Sequence, residues 1–159
     1  MPVMPVLKRA HSIAVACLLV TSLAFSAACR SGDPRADDAL SVSTITELQR
    51  IDRKVGTGAE ALPGKSVSVH YSGWLYHPTK EGNKGRPFDS SHNRNEPLPV
   101  DLGAGRVIPG WEQGIPGMKV GGQRTLIIPP ALAYGPEGYE GMIPPNATLV
   151  FDIELLDVR

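Results

Sequence analysis

The segment of residues 107–118 constrains the fold more than any other part of the chain. Pro109 suits the first turn of a helix, where its missing N–H costs nothing. Trp111, Ile115 and Met118 follow at i, i+4 and i+7, so they share one helical face. The pair Pro116-Gly117 then ends the helix quickly. A helix this short is unstable alone, so a sheet must cover its apolar face. We therefore predict that Trp111 forms the floor of a cavity, with an ordinary core position as the alternative.

Alternation of apolar and polar residues predicts β-strands on both sides of this helix. In the clearest upstream pattern, Val67, Val69 and Tyr71 point to one face. Similar patterns occupy residues 98–102, 124–128 and 148–158. The polar stretch between Gly73 and Phe88 predicts an exposed loop. Five or six antiparallel strands, one short helix and no βαβ rhythm indicate an α+β domain.

Composition excludes several classes of function. The 16 basic and 16 acidic residues balance, which gives no support for nucleic-acid binding. The 17 glycines and 15 prolines favour a turn-rich β domain. Of two cysteines, Cys17 lies in a leader, so the mature chain keeps at most Cys29 and has neither an internal disulfide nor a thiolate metal site. We expect no metal or other cofactor, and the sequence offers no nucleophile–base pair.

The N-terminus has the pattern of an export signal. Basic residues precede an apolar run at residues 13–25, which is too short for a comfortable membrane span. We predict a signal peptide over residues 1–28. Small residues then precede Cys29, as in bacterial lipoproteins, although Ser26 stands where a lipobox usually has Leu. Lipidation of Cys29 is the favoured interpretation, and a secreted soluble protein with a free thiol is the alternative.

The polar, aperiodic residues 29–45 predict a flexible tether between the lipid anchor and a folded domain at residues 46–159. We therefore expect an exported protein, anchored as a lipoprotein that faces the periplasm or lies on the outer surface. A monomer is expected because the sequence has no dimerisation helix.

Aromatic residues are spread along the predicted domain at positions where the fold can bring them together. They are Tyr71, Phe88, Trp111, Tyr134 and Phe151. A buried tyrosine needs a hydrogen-bond partner for its hydroxyl. Asp89 follows Phe88 and either caps a turn or pairs with Arg94.

Six motifs occur in the order typical of one family. They are HYSG (70–73), FDSS (88–91), VIPGW (107–111), AYG (133–135), IPPNATL (143–149) and FDIELL (151–156). Together they cover roughly residues 47–159, and the chain resembles the FKBP-type peptidyl-prolyl cis-trans isomerases. The resemblance implies a half-open, twisted antiparallel sheet, a half-barrel, wrapped on one short helix with a proline pocket between them.

The resemblance also implies a set of site residues and partners. Catalytic roles fall to Tyr71, Asp89, Ile108 and Tyr134, with the Ile108 N–H and the Tyr134 hydroxyl as donors to the substrate. The substrate pocket is expected to include Phe88, Leu98, Val100, Val107, Trp111, Tyr139, Ile143 and Phe151. Proline-containing polypeptides are the implied substrates, and macrolide inhibitors are candidate ligands.

Three departures from the family pattern bear on specificity. Leu98 and Val100 replace residues that are commonly aromatic, Tyr139 replaces a common histidine at the rim, and the insert before Phe88 is long. The departures at Leu98 and Val100 leave open a chaperone of the same fold with little turnover. A surface-binding lipoprotein that uses the fold as a scaffold is a further alternative, because fold alone does not determine function.

Overall fold

Every strand of the described chain joins one antiparallel sheet. The structure is a computed structural model that describes residues 45–159. Its strands are β1 (Gln49–Lys54), β2 (Ser66–Tyr76), β3 (Lys84–Ser90), β4 (Leu98–Asp101), β5 (Gln123–Ile128) and β6 (Leu149–Val158). One α-helix, α1 (Pro109–Gly114), and short 3₁₀ turns at Glu81–Asn83, His92–Arg94 and Pro130–Leu132 complete the secondary structure of these residues.

The long strand β2 organises the sheet, whose order is β1-β5-β6-β2-β3. One edge of β2 pairs with β6, and the other edge pairs with β4 near its start and with β3 near its end. Val67, Val69 and Tyr71 are buried on one face as predicted, while the residues between them are more exposed. The predicted α+β architecture, an antiparallel sheet of five to six strands with one short helix, is confirmed.

Helix α1 lies against β5 because two glycines, one turn apart, face that strand. A Cβ atom added to Gly110 would come within 2.3 Å of the Ile128 side chain, and one added to Gly114 within 2.5 Å of Leu126. Both strand residues are fully buried. The absence of side chains at these glycines therefore lets the helix approach the sheet closely. This approach fixes the position of Trp111, which the helix carries.

Two sequence-based boundaries were wrong. The stretch between Gly73 and Phe88 is not one long loop, because β2 continues to Tyr76 and β3 begins at Lys84. The backbone groups of β3 pair with β2, from Ser72 opposite Ser90 to Tyr76 opposite Lys84, and this pairing does not need an apolar pattern. The helix also ends earlier than its apolar face: it stops at Gly114, although Ile115 and Met118 are both buried.

The predictions for the leader, for Cys29 and for the tether up to residue 44 lie outside the described residues. Among residues 45–159, no helix has both the length and the hydrophobicity needed to cross a membrane.

Candidate functional site

A cavity of about 370 Å³ lies between helix α1 and the sheet. It is lined by Tyr71, Phe88, Asp89, Leu98, Gly105, Arg106, Val107, Ile108, Trp111, Tyr134 and Phe151. The lining combines concave shape, aromatic side chains and a few polar groups, which is the usual character of a small-ligand site.

Four aromatic rings form the inner part of this cavity by edge-to-face packing. The centroid of Trp111 lies 5.1 Å from that of Tyr71 and 5.2 Å from that of Phe151, with interplanar angles of 77° and 85°. Phe88 packs against Phe151 at 5.5 Å and 89°. Gly73 makes this possible, since a Cβ there would lie 2.7 Å from Phe88 and 2.8 Å from Phe151. Such ring pairs stabilise beyond the area they bury, so the floor is apolar and well ordered.

The indole of Trp111 makes ring contacts but no hydrogen bond within residues 45–159. Its side chain is only 4% exposed, and its Nε1–H has no hydrogen-bond acceptor within residues 45–159. A buried donor without a partner is uncommon and costs stability. The indole thus serves as a flat apolar surface at the cavity.

A hydrogen-bonded network forms the polar wall. The Tyr71 hydroxyl donates to the Asp89 carboxylate, and Arg94 donates from Nη1 to Asp89 Oδ1 at 2.7 Å and from Nη2 to the Tyr71 hydroxyl at 2.9 Å. The Ser90 backbone N–H donates to Asp89 at 2.8 Å. Of the two sequence-based alternatives for Asp89, the structure shows the pair with Arg94; the Ser90 N–H that it also accepts is that of the next residue in strand β3.

The network shifts two pKa values in opposite directions. Burial alone would raise the pKa of Asp89, but the hydrogen bonds from Tyr71 and Arg94 outweigh it and lower that pKa below its ordinary value. Burial, together with the neighbouring Asp89 carboxylate, raises the pKa of Tyr71. Asp89 is therefore ionised and Tyr71 neutral at neutral pH.

Two hydrogen-bond donors at the cavity have no partner among the described residues. The Ile108 C=O accepts the Trp111 N–H at 2.9 Å and starts helix α1, whereas no protein group accepts from the Ile108 N–H. The Tyr134 hydroxyl is also without a partner, and burial raises its pKa, so it keeps its proton. Two free donors beside an apolar floor can bind carbonyl oxygens of a ligand.

The carboxylate of Glu112, on helix α1, holds the loop that leads into this donor segment. It accepts the backbone N–H groups of Gly103 and, at 2.9 Å, Gly105. Both glycines adopt positive φ angles, 86° and 67°, which a side chain would disfavour. The clamp fixes the backbone directly before Val107 and Ile108.

The structure brings most of the predicted site residues together. Tyr71, Phe88, Asp89, Leu98, Val107, Ile108, Trp111, Tyr134 and Phe151 all line the cavity. Three others do not: Val100 and Ile143 are buried in the core, and Tyr139 is 47% exposed beside Tyr134, with ring centroids 5.3 Å apart. The predicted lipidation site, Cys29, lies outside the described residues.

Sequence reasoning missed Gly105 and Arg106 in the lining and the spatial role of Gly73. The two glycines offered a signal, because each belongs to a motif or a Gly-rich turn next to the predicted pocket. Arg106 offered none, since an arginine in a loop usually lies on a solvated surface.

A second hollow, of about 310 Å³, lies on the outer face of the sheet and has a different character. Its lining includes Asp152, which pairs with Lys84 at 2.5 Å and accepts from Thr125 at 2.8 Å. These polar groups already satisfy one another, so the aromatic cavity is the stronger candidate site. No cluster of three or more potential metal ligands occurs within residues 45–159.

The chain is similar to known proteins over most of the described residues. The family model described as FKBP-type peptidyl-prolyl cis-trans isomerase matches residues 58–156. An FK506-binding protein of Neisseria meningitidis serogroup B is 50% identical over 107 residues, covering 67% of this chain and 92% of that protein. The peptidyl-prolyl cis-trans isomerase FPR2 of Saccharomyces cerevisiae is 52% identical over 100 residues, covering 63% and 70%.

Two crystal structures are similar as well. AtFKBP13 superposes with a TM-score of 0.61 at 45% identity, covering 70% of this chain and 93% of that one. FkpA from Escherichia coli gives a TM-score of 0.61 at 44% identity over 72% of this chain, which spans 49% of FkpA.

Proposed function

Because the chain belongs to the FKBP-type peptidyl-prolyl cis-trans isomerases and is an enzyme of that type, we propose that it rotates X-Pro bonds in exported polypeptides. The observation that carries the catalytic part is the aromatic cavity over Trp111, with two donors, at Ile108 and Tyr134, that have no partner within the part of the chain that the structure describes. The export context rests on the leader and the cysteine of the sequence.

The reaction needs a change of environment rather than a nucleophile. Resonance holds the planar amide with a barrier of about 18–20 kcal/mol. The twisted transition state has lost that conjugation and with it part of the dipole that water solvates. A cavity that replaces water by aromatic rings therefore disfavours the planar form more than the twisted form. An acceleration of about 10³ to 10⁵ requires only about 4–7 kcal/mol.

The residues of the cavity have different roles in this reaction. The prolyl ring lies on the Trp111 indole, with Phe88, Val107, Tyr71 and Phe151 as walls. The Ile108 N–H and the Tyr134 hydroxyl each donate to a substrate carbonyl, which orients the peptide across the floor. Donors that are already in position lose little entropy on binding, so their energy serves the transition state.

Asp89 acts on the rotating carbonyl through its charge and through the position of Tyr71. Its negative charge and the network with Arg94 lie at one side of the cavity. A fixed local field of this kind can favour the charge distribution of the twisted amide.

The two tryptophans of the chain allow a matched test of the cavity. Trp74 lies on the outer face, with Lys84 Nζ 4.6 Å from its ring centroid. In Trp111→Leu, kcat/KM for a prolyl peptide should fall at least about tenfold, since roughly 1.4 kcal/mol of contact is lost. In Trp74→Leu it should stay unchanged. Equal rates in the two variants would contradict the assignment of the cavity.

FK506 is proposed as an inhibitor because the Neisseria relative is named as an FK506-binding protein. In Trp74→Leu, Trp111 is the remaining tryptophan, so a ligand that covers the indole should change its fluorescence. Titration with FK506 should give this change together with loss of activity. Inhibition without a fluorescence change would place the ligand elsewhere.

The mature protein is proposed to be a lipoprotein anchored through Cys29, with a signal peptide at residues 1–28 and a tether at 29–45. Mass spectrometry of the mature N-terminus should find acyl chains on a first-residue cysteine, and the protein should fractionate with membranes. An unmodified thiol in the soluble exported fraction would support the secreted alternative.

A further inference from the structure

Among residues 45–159, two charged residues line the aromatic cavity, Asp89 and Arg106. The Asp89 carboxylate is engaged by the Tyr71 hydroxyl, the Arg94 guanidinium and the Ser90 N–H. Its carboxylate oxygens are therefore occupied by protein donors, so Asp89 has little capacity left to bind a charged group of a substrate directly, although its field still reaches the cavity. Arg106 is the remaining charged group that a bound peptide would meet.

The guanidinium of Arg106 keeps most of its binding capacity. Its contact is one ion pair, from Nη1 to Asp101 Oδ2 at 3.0 Å, and the two side chains are 75% and 46% exposed. An exposed pair of this kind is weak because water and salt screen it. Arginine has five N–H donors, and within residues 45–159 the other donors of Arg106 have no protein acceptor.

The backbone around Arg106 is held in a defined place. Glu112 binds the N–H of Gly105 immediately before it, and the donor Ile108 lies two residues after it. Two residues of extended chain span at most about 7 Å. A substrate whose carbonyl accepts a hydrogen bond from the Ile108 N–H thus has its neighbouring side chains within reach of a long arginine side chain.

We propose that Arg106 determines specificity, favouring substrates with an aspartate or glutamate directly next to the proline. The inference rests on the proposed binding of the prolyl ring over Trp111. The carboxylates of Asp101 and Glu112 oppose it, but Glu112 is engaged by the backbone of Gly103 and Gly105, and Asp101 also accepts from the Ser66 hydroxyl. A flat guanidinium with free donors binds a carboxylate in preference to a neutral amide.

The test compares peptides that differ only in charge beside the proline. The full-length chain is assayed with four-residue prolyl peptides that carry Glu, Gln or Lys before the proline, and in a second series after it. We expect kcat/KM to be about two- to fivefold higher for Glu than for Gln in one of the series, the range for an exposed ion pair. In 1 M NaCl, where the Debye length is about 3 Å, this preference should vanish.

Three variants assign the preference to its source. Arg106→Gln should bring the Glu/Gln ratio to about one, and Asp101→Asn should raise it by removing the competing carboxylate. Arg159→Gln is the matched control, because Arg159 has a similar exposed pair with Asp157 and should leave the ratio unaltered. Circular dichroism checks that each variant is folded.

The outcomes separate this proposal from the one on which it rests. A Glu/Gln ratio near one in both series, or a preference that survives Arg106→Gln, would overturn the role of Arg106 while the isomerase assignment stands. Failure to accelerate any prolyl peptide would overturn both.

Discussion

At the scale of single residues, the site depends on which of its polar groups already have hydrogen-bond partners within the protein. Tyr71 and Tyr134 both face the cavity, yet the Tyr71 hydroxyl is bound to Asp89 and Arg94, whereas the Tyr134 hydroxyl is free within the described chain. The same kind of side chain thus serves the structure at one position and the ligand at the other. Two consequences can be measured.

Removing the two tyrosine hydroxyls should affect different quantities, activity for Tyr134 and stability for Tyr71. In Tyr134→Phe, kcat/KM should fall by up to about tenfold, the value of a neutral hydrogen bond to the substrate, while the free energy of unfolding changes by less than about 0.5 kcal/mol. In Tyr71→Phe, the free energy of unfolding should fall by about 1–3 kcal/mol, because the charge on Asp89 loses a donor. Urea unfolding and peptide kinetics on the same samples distinguish the two roles.

The contribution of Asp89 to the free energy of unfolding should decrease as the pH falls. Its folded-state pKa is lower than the ordinary value of 3.8, so ionisation stabilises the fold at pH values above about 4. This contribution is lost as pH falls through the lower folded-state pKa. Asp89→Asn should therefore be less stable than the parent chain at pH 7, and the difference should shrink below pH 4.

Urea unfolding curves at pH 7 and near pH 3 measure that difference. Arg159→Gln serves as the control, since its partner Asp157 belongs to an exposed pair. A difference between parent and Asp89→Asn that stays constant with pH would show that the asparagine acts through shape rather than through lost charge.

At the scale of elements, the short helix α1 performs three tasks at once. It carries Trp111 to the cavity, uses Glu112 to hold the preceding loop, and lies against β5 through Gly110 and Gly114. A six-residue helix gains little from its own hydrogen bonds, so these contacts, rather than helix propensity, keep it in place.

Gly110→Ala should therefore destabilise the protein, although alanine is the better helix former. The propensity gain is up to about 1 kcal/mol, whereas overpacking against the buried Ile128 costs about 1–3 kcal/mol. The distance of 2.3 Å requires either the helix or the strand to move. We expect a lower free energy of unfolding and a reduced kcat/KM, because Trp111 moves with the helix.

A double-mutant cycle with Ile128→Ala tests the cause. The shortened side chain removes the obstacle, so Gly110→Ala should cost less in that background than in the parent chain. Equal costs in both backgrounds would mean that the alanine acts on the unfolded chain or on the helix alone.

At the scale of the whole molecule, the cavity and the core belong to the same sheet. Within the described residues, the buried apolar cluster extends from Ala61 to Leu155, and it shares Tyr71, Trp111 and Phe151 with the cavity lining. We therefore expect residues 45–159 to form the site without the leader and tether.

A chain that begins at Ile45 should fold and retain activity. Its kcat/KM for a prolyl peptide should equal that of the full-length chain within about twofold, and its Tm should agree within a few degrees, since β1 begins at Gln49 and is retained. Size-exclusion chromatography should show the proposed monomer. Loss of the folded state on truncation would mean that residues before Ile45 contribute to the core.

Much of the fold follows from local sequence patterns. The alternation in β2 and β6, the proline that starts α1 and the order of the six motifs depend on neighbours in the chain, and they were enough to predict the sheet, the helix and the family. Strand β3 was not predicted because its residues are neither apolar nor alternating. It is a strand because its backbone pairs with β2.

Only the tertiary structure decided which residues face the cavity. Leu98 and Val100 lie two residues apart on β4 and so share a face, yet Leu98 lines the cavity and Val100 is in the core, because the cavity ends between them. Arg106 belongs to the lining and directly follows the loop that Glu112 holds, an arrangement that depends on a contact between the loop and helix α1. The periodicity of a strand specifies a face, whereas the extent of a hollow depends on side chains that are distant in sequence and meet only when the sheet closes on the helix.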